Sequence, residues 1–212
     1  MSVDSTALRD RAGRLQTEFW RYAQATRPPE NPVYEHDLSF PYGAQLMAAR
    51  LGYKIFPFTA ENIREKVSRT DCPEPSHALI TKWWAGEGRS CPIGAALGPS
   101  NVTVVEIADV HDMEAFINLA RWEEFLGPLP RTRIAKTPKG YQIHMRGLTC
   151  APDDSLGIGL QLKSLYRAVL LPGSNLGEGG AYRWLRVGDL KDAPDWILDR
   201  RVSQRENDGA SK

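Results

Sequence analysis

Glu106 is the carboxylate whose setting most suggests chemistry. It stands near the end of Val102-Thr103-Val104-Val105-Glu106-Ile107, a β-branched run that predicts a core strand. A charge at such a place holds a divalent ion, faces solvent, or pairs with a cation such as Arg133 or Lys163. Asp109, His111 and Asp112 follow closely, and would add ligands if the strand ended early and the chain turned back. The competing role is local: Asp112 is placed to cap the next helix, with Asp109 in its approach loop. His144 falls in a further strand, where a lone histidine is more often a satisfied packing residue than a ligand. Arg131, Arg133, Lys136 and Lys139 gather about a hairpin, with Lys163 and Arg167 on neighbouring strands. Such a cluster is either a solvated face or a phosphate-binding one. Thr137-Pro138-Lys139-Gly140 has neither the glycines nor the following helix of a phosphate loop. Cys72, Cys91 and Cys150 are odd in number and form no Cys-x-x-Cys pair, so we expect reduced packing residues, not a disulfide framework or zinc knuckle.

The elements that carry these residues follow from periodicity. Leu8, Ala12, Leu15, Phe19 and Tyr22 lie at helical spacing over 7–23, with Ser5 or Thr6 as cap. Arg27-Pro28-Pro29-Glu30-Asn31-Pro32 reads as a linker, because proline removes donors and restricts its predecessor. A helix over 42–51 stops at Gly52, and Tyr53 to Phe58 makes a strand; 60–75 is polar and reads as loop. Ser76 caps a helix that runs to Trp84 and ends before Gly86-Glu87-Gly88, and Ile93 to Leu97 is a short strand. After the Glu106 strand a helix spans 112–125, with Met113, Phe116, Ile117 and Ala120 on one face. Strands 133–136 and 141–145 form a hairpin across the Thr137 turn. Strands over 160–163 and 168–171 lead through a glycine-rich loop, 173–180, to Tyr182-Arg183-Trp184-Leu185 and a last short helix at 194–198. The tryptophans at 83, 84, 184 and 196 read as packing residues, and the polar tail 203–212 as disordered. Helices first and strands later make an α+β domain.

With 212 residues, 42% of them apolar, the chain can bury a core. A net charge of +1 excludes a globally polycationic binder, so any nucleic-acid contact must come from a local patch. No apolar run approaches the ~20 residues that span a bilayer. The start, Met1-Ser2-Val3-Asp4, has neither a basic nor an apolar leader region, so the expected location is cytoplasmic, without membrane partners.

The order of segments over 43–198 resembles the Prim-Pol domain, the bifunctional primase/polymerase branch of the archaeo-eukaryotic primase superfamily. The likeness runs through Gly52-Tyr53-Lys54-Ile55-Phe56-Pro57, Thr70-Asp71, Ile80-Thr81-Lys82-Trp83-Trp84 and Ile93-Gly94-Ala95-Ala96-Leu97-Gly98. It continues through Val104 to Ala108, Leu129-Pro130 and Thr137 to Tyr141, then Leu171-Pro172-Gly173-Ser174, Tyr182 to Leu185 and Pro194 to Leu198. It implies mixed β-sheets on an RRM-like core flanked by helices: one domain over 41–202, with 1–40 as a helical extension and linker.

The resemblance also implies site positions, where this chain departs from the family. The family's Asp-x-Asp pair is Glu106 and Ala108 here; its histidine, by ungapped alignment through Tyr141 and Arg146, is Gln142; its third aspartate is Gln161. Three of these four positions lack an ionisable group, so no cofactor is expected, and Glu106 is the one residual metal ligand. The implied function is a replication protein of a plasmid, phage or mobile element, degenerate in catalysis. It would still bind single-stranded DNA or RNA and nucleoside triphosphate weakly, through Lys139, Lys163, Arg131, Arg133 and Lys136. Two alternatives stand beside it. One is an active primase/polymerase that uses Mg²⁺ or Mn²⁺ on displaced ligands, Glu106 with Asp109 or Asp112 and His144. The other is a protein-interaction module on the same scaffold. Any coupling to unwinding would come from a separate helicase.

Overall fold

Two antiparallel sheets carry the described part of the chain. The computed structural model describes residues 5–24, 43–62, 75–85, 90–109, 111–149, 154–174, 176 and 180–198. The elements run α1 (Ser5–Gln24), α2 (Gly43–Arg50), β1 (Lys54–Pro57), α3 (His77–Trp84), β2 (Ile93–Ala96), α4 (Leu97–Ser100), β3 (Val102–Ile107) and α5 (Met113–Leu126). Then come β4 (Arg133–Lys136), β5 (Tyr141–Arg146), β6 (Asp154–Gly157), β7 (Leu160–Lys163), β8 (Ala168–Leu170), β9 (Arg183–Arg186) and α6 (Asp195–Leu198). The large sheet has the order β6-β7-β3-β5-β4-β9 and the small one β1-β2-β8. The α+β class holds, whereas the mixed sheets that the resemblance implies are antiparallel in every described ladder. The one parallel pairing among the described residues is the isolated bridge of Arg146 with Asp192.

Alternation along β3 divides the large sheet into two faces. Val105 and Ile107 join Tyr141, Ile143, Met145, Leu160 and Leu162 in a core covered by α1 and α5. Val102 and Val104 point the other way, with Ala135 and Trp184, and the small sheet, α2 and α3 cover them. Glu106 shares this second face and is only partly buried.

The chain fixes these elements locally. Asp112 caps α5, its Oδ1 accepting from Glu114 N at 3.0 Å, and Gly127 ends the helix at φ +99°. Ser76 Oγ caps α3 by accepting from Leu79 N at 3.2 Å. In the β4–β5 turn Thr137 N donates to Gly140 O at 3.0 Å, and Gly140 N donates to Thr137 Oγ1 at 2.8 Å. This turn presses on the end of β3, since a Cβ on Gly140 would lie 1.8 Å from Ile107 O.

Two elements depart from the sequence expectation. The strand expected over 93–97 ends at Ala96, and the turn of helix α4 follows, closed by Asn101 in the left-handed region at φ 53°. The edge strand β6 was not expected, because Asp154-Ser155-Leu156-Gly157 has one large apolar residue and so shows no alternation. Trp84 and Trp184 are core residues, and Trp196 stacks on Trp122 with centroids 5.7 Å apart. Cys91 is a free thiol. The linker 27–32, the glycines at 86 and 88, Cys72, Cys150 and the tail 203–212 lie outside the described residues, as does most of the loop expected over 60–75. No described helix is long and apolar enough to cross a membrane.

Candidate functional site

Register decides which side chains meet on the open part of the second face. Glu106 of β3 stands opposite Gln142 of β5 and Gln161 of β7. Directly opposed residues share a face, with Cβ atoms about 4.5–5.5 Å apart, so these three make a row across three strands. The next row on that face holds Val104, flanked by His144 and Lys163, with Arg133 opposite His144 on β4. Lys163 is thus diagonal to Glu106, within the reach of a long side chain.

Glu106 is held on both oxygens by this chain. Lys163 Nζ forms an ion pair with Oε2. Gln142 Nε2 donates to Oε1 at 3.2 Å. The pair is part-buried, the Glu106 side chain 16% exposed and that of Lys163 27%. Gln142 is buried and its Oε1 has no hydrogen-bond partner; Gln161 is exposed. Ala108, past the strand end, is exposed and ties back through its backbone N–H to Gly159 O at 3.0 Å.

Tyr182 completes the surroundings. It precedes β9 and sits two residues before the inward Trp184, and its hydroxyl is pushed up from the usual phenol range by burial and by the Glu106 charge. Sequence reasoning missed it as a site residue. Its alternation with Trp184 was readable, but nothing in the sequence says that β9 lies two strands from β3's neighbour.

The other acidic and imidazole candidates are not assembled beside Glu106. Asp109 Oδ1 accepts from His111 N at 2.9 Å, its carbonyl accepts from Asp112 N at 3.2 Å, and its charge acts on Lys136. His144 is fully buried, its Nδ1 2.9 Å from the Tyr53 hydroxyl. Burial, helped by the Arg133 charge, holds it down at about 3, so the ring is neutral. Among the described residues no group of three or more His, Cys, Asp and Glu is placed to hold a metal. The two divalent ions that the resemblance implies do not fit this row: its one carboxylate is already neutralised by an ammonium, and its other members are amides.

The basic cluster separates into different places. Arg133 is buried, its Nη1 donating to Leu51 O at 2.7 Å and its Nε to Gly188 O, with the guanidinium 5.7 Å from the Tyr53 ring centroid. Lys136 belongs to the opposite face, where its ammonium lies 5.0 Å from the Tyr141 ring centroid. Burial and Arg183 hold it below the usual lysine value, against the opposing pull of Asp109. Arg131 is exposed at the far end of β4, where it lines a cavity of about 230 Å³ with Phe19, Glu123 and Arg186. Lys139 is exposed on the turn that presses against the Glu106 end of β3. Of the five cations expected to bind phosphate, the described geometry therefore brings Lys163 to Glu106 and Lys139 to the same end of the sheet.

Residues 44–196 match a family model, Prim-Pol, described as bifunctional DNA primase/polymerase, N-terminal. No curated protein matches the chain.

Proposed function

This chain belongs to the Prim-Pol family of bifunctional DNA primase/polymerase domains, and we propose that it serves replication by binding nucleic acid or nucleotide without synthesising DNA. The observation that carries this reading is the engagement of Glu106 by Lys163 and Gln142. Two-metal nucleotidyl transfer needs carboxylates that bridge cations ~3.5–4 Å apart and stabilise the charge of the reacting phosphate. One carboxylate matched to one ammonium leaves no negative charge for that purpose, and a methyl at Ala108 adds none.

The binding surface we propose is the Glu106 face, with Lys163 and Lys139 as point charges for phosphate and Gln161 as an exposed amide beside them. Arg133 and Lys136 are left out of it, since one is committed to backbone carbonyls and the other lies on the opposite face. The displaced-ligand alternative loses support for the same kind of reason: Asp109 is held in its loop and His144 is buried and neutral.

Primer-synthesis and primer-extension assays with Mg²⁺ and with Mn²⁺, beside single-stranded DNA anisotropy at several salt concentrations, test the proposal. The expected result is no extension, with weak binding that falls as salt rises. Extension that Glu106→Ala abolishes would establish an active enzyme instead. Absence of binding even at low ionic strength would leave the protein-interaction module as the surviving function.

A further inference from the structure

We propose that the Lys163 ammonium is the resident cation of this site, and that Glu106 is its built-in competitor: a polyphosphate binds by taking Lys163 from Glu106 and needs no divalent ion. This rests on the reading of the Glu106 face as phosphate-binding and specifies how that face works. Three observations carry it. Lys163 and Glu106 are a diagonal pair whose charges cancel on neighbouring strands. Both oxygens of Glu106 are already engaged, so an arriving cation must compete with Lys163 and Gln142 for this carboxylate. The pair is also neither sealed in nor fully solvated, at 16% and 27% side-chain exposure, so an anion can reach Lys163 where screening by water is reduced.

The proposal reverses the usual consequence of losing an acidic residue. In a site that holds phosphate through metal ions, removing a carboxylate removes the metal and weakens phosphate binding. Here the carboxylate repels the incoming anion and occupies the group that would bind it. Neutralising Glu106 leaves an uncompensated ammonium, and phosphate binding strengthens.

Calorimetric titration of the full chain with ATP and with inorganic triphosphate, in EDTA and then in Mg²⁺, tests this. The wild type should bind in EDTA with no gain on adding Mg²⁺. Glu106→Gln should bind tighter by about tenfold, the factor that ~1.4 kcal/mol of removed competition gives. Lys163→Met should bind weaker by a similar factor. A readout without phosphate guards against a variant that folds poorly: thermal melting of Lys163→Met should rise on adding Mn²⁺, because Glu106 has lost its cation, whereas the wild-type melt should not move. Binding that appears only with Mg²⁺, weaker binding by Glu106→Gln, or a wild-type melt that rises with Mn²⁺ each overturns the proposal. If neither phosphate probe binds while single-stranded DNA does, this inference fails and the proposed function stands; if DNA also fails to bind, both fall.

Discussion

Arg133 and His144 show how a charged or titratable side chain can serve the fold. The Arg133 guanidinium joins β4 to two backbone carbonyls, at Leu51 near the small sheet and at Gly188 beyond β9. Replacing it with methionine removes two hydrogen bonds from a charged donor, and a hydrogen bond to a charged group contributes about 1.5–3 kcal/mol. Arg133→Met should therefore lower stability by roughly 2–5 kcal/mol in denaturant unfolding. The salt slope of DNA binding should stay unchanged; a shallower slope would make Arg133 a phosphate contact. His144 gives a pH dependence. Held at about 3 in the folded state against an ordinary 6.5, it takes up its proton earlier in the unfolded chain. Falling pH through that window therefore favours unfolding, and stability rises with pH, by up to about 1.4 kcal/mol per unit. His144→Gln should flatten the pH dependence of the unfolding free energy between about 6.5 and 3 relative to wild type. Equal slopes would mean that the buried ring does not matter to acid unfolding.

The strands that place the site were legible because each is a short apolar-centred or alternating segment bounded by turns. The runs at 102–107 and 133–136 coincide with β3 and β4, and 160–163 with β7. Strand order was not legible: register between β3, β5 and β7 joins residues far apart in the chain, and nothing local encodes that Lys163 falls diagonal to Glu106. The β4–β5 turn shows what the ordering depends on. A side chain at Gly140 has no room against Ile107 O, which is backbone and cannot step aside. Gly140→Ala should destabilise the fold by more than about 1–3 kcal/mol, the usual cost of overpacking. It should also weaken DNA binding, by moving Lys139 away from the Glu106 end. Asp112→Ala is the control at the same end of β3. Loss of its cap should cost about 1 kcal/mol and leave binding intact. Equal effects of the two variants on binding would remove the turn from the site.

At the scale of the molecule, the family match begins at residue 44, while the packing begins with α1. Helical spacing in the sequence foretold an amphipathic helix, but not which surface it covers; the first 40 residues read as an extension because the resemblance did not reach them. In the structure Leu8, Ala12 and Phe19 are buried in the core beneath the large sheet. Phe19 lies 5.9 Å from Phe116 of α5 and 4.9 Å from Tyr141 of β5, centroid to centroid. Arg11 adds an ion pair to Glu123 at 3.4 Å. Tyr141 neighbours Gln142, so this helix supports the strand that holds Glu106 from its other face. Phe19→Ala should cost about 3–5 kcal/mol, as large-to-small changes of a buried phenylalanine do. A chain that starts at residue 41 should lose its cooperative unfolding transition or aggregate, because the covered faces of α5 and β5 would meet water. Arg11→Ala should cost at most about 1 kcal/mol, since the pair is partly exposed. Differential scanning calorimetry of the three variants separates core from appendage: unchanged melting in the shortened chain would make α1 an appendage, and a graded loss from Arg11→Ala through Phe19→Ala to the truncation would make it part of the domain.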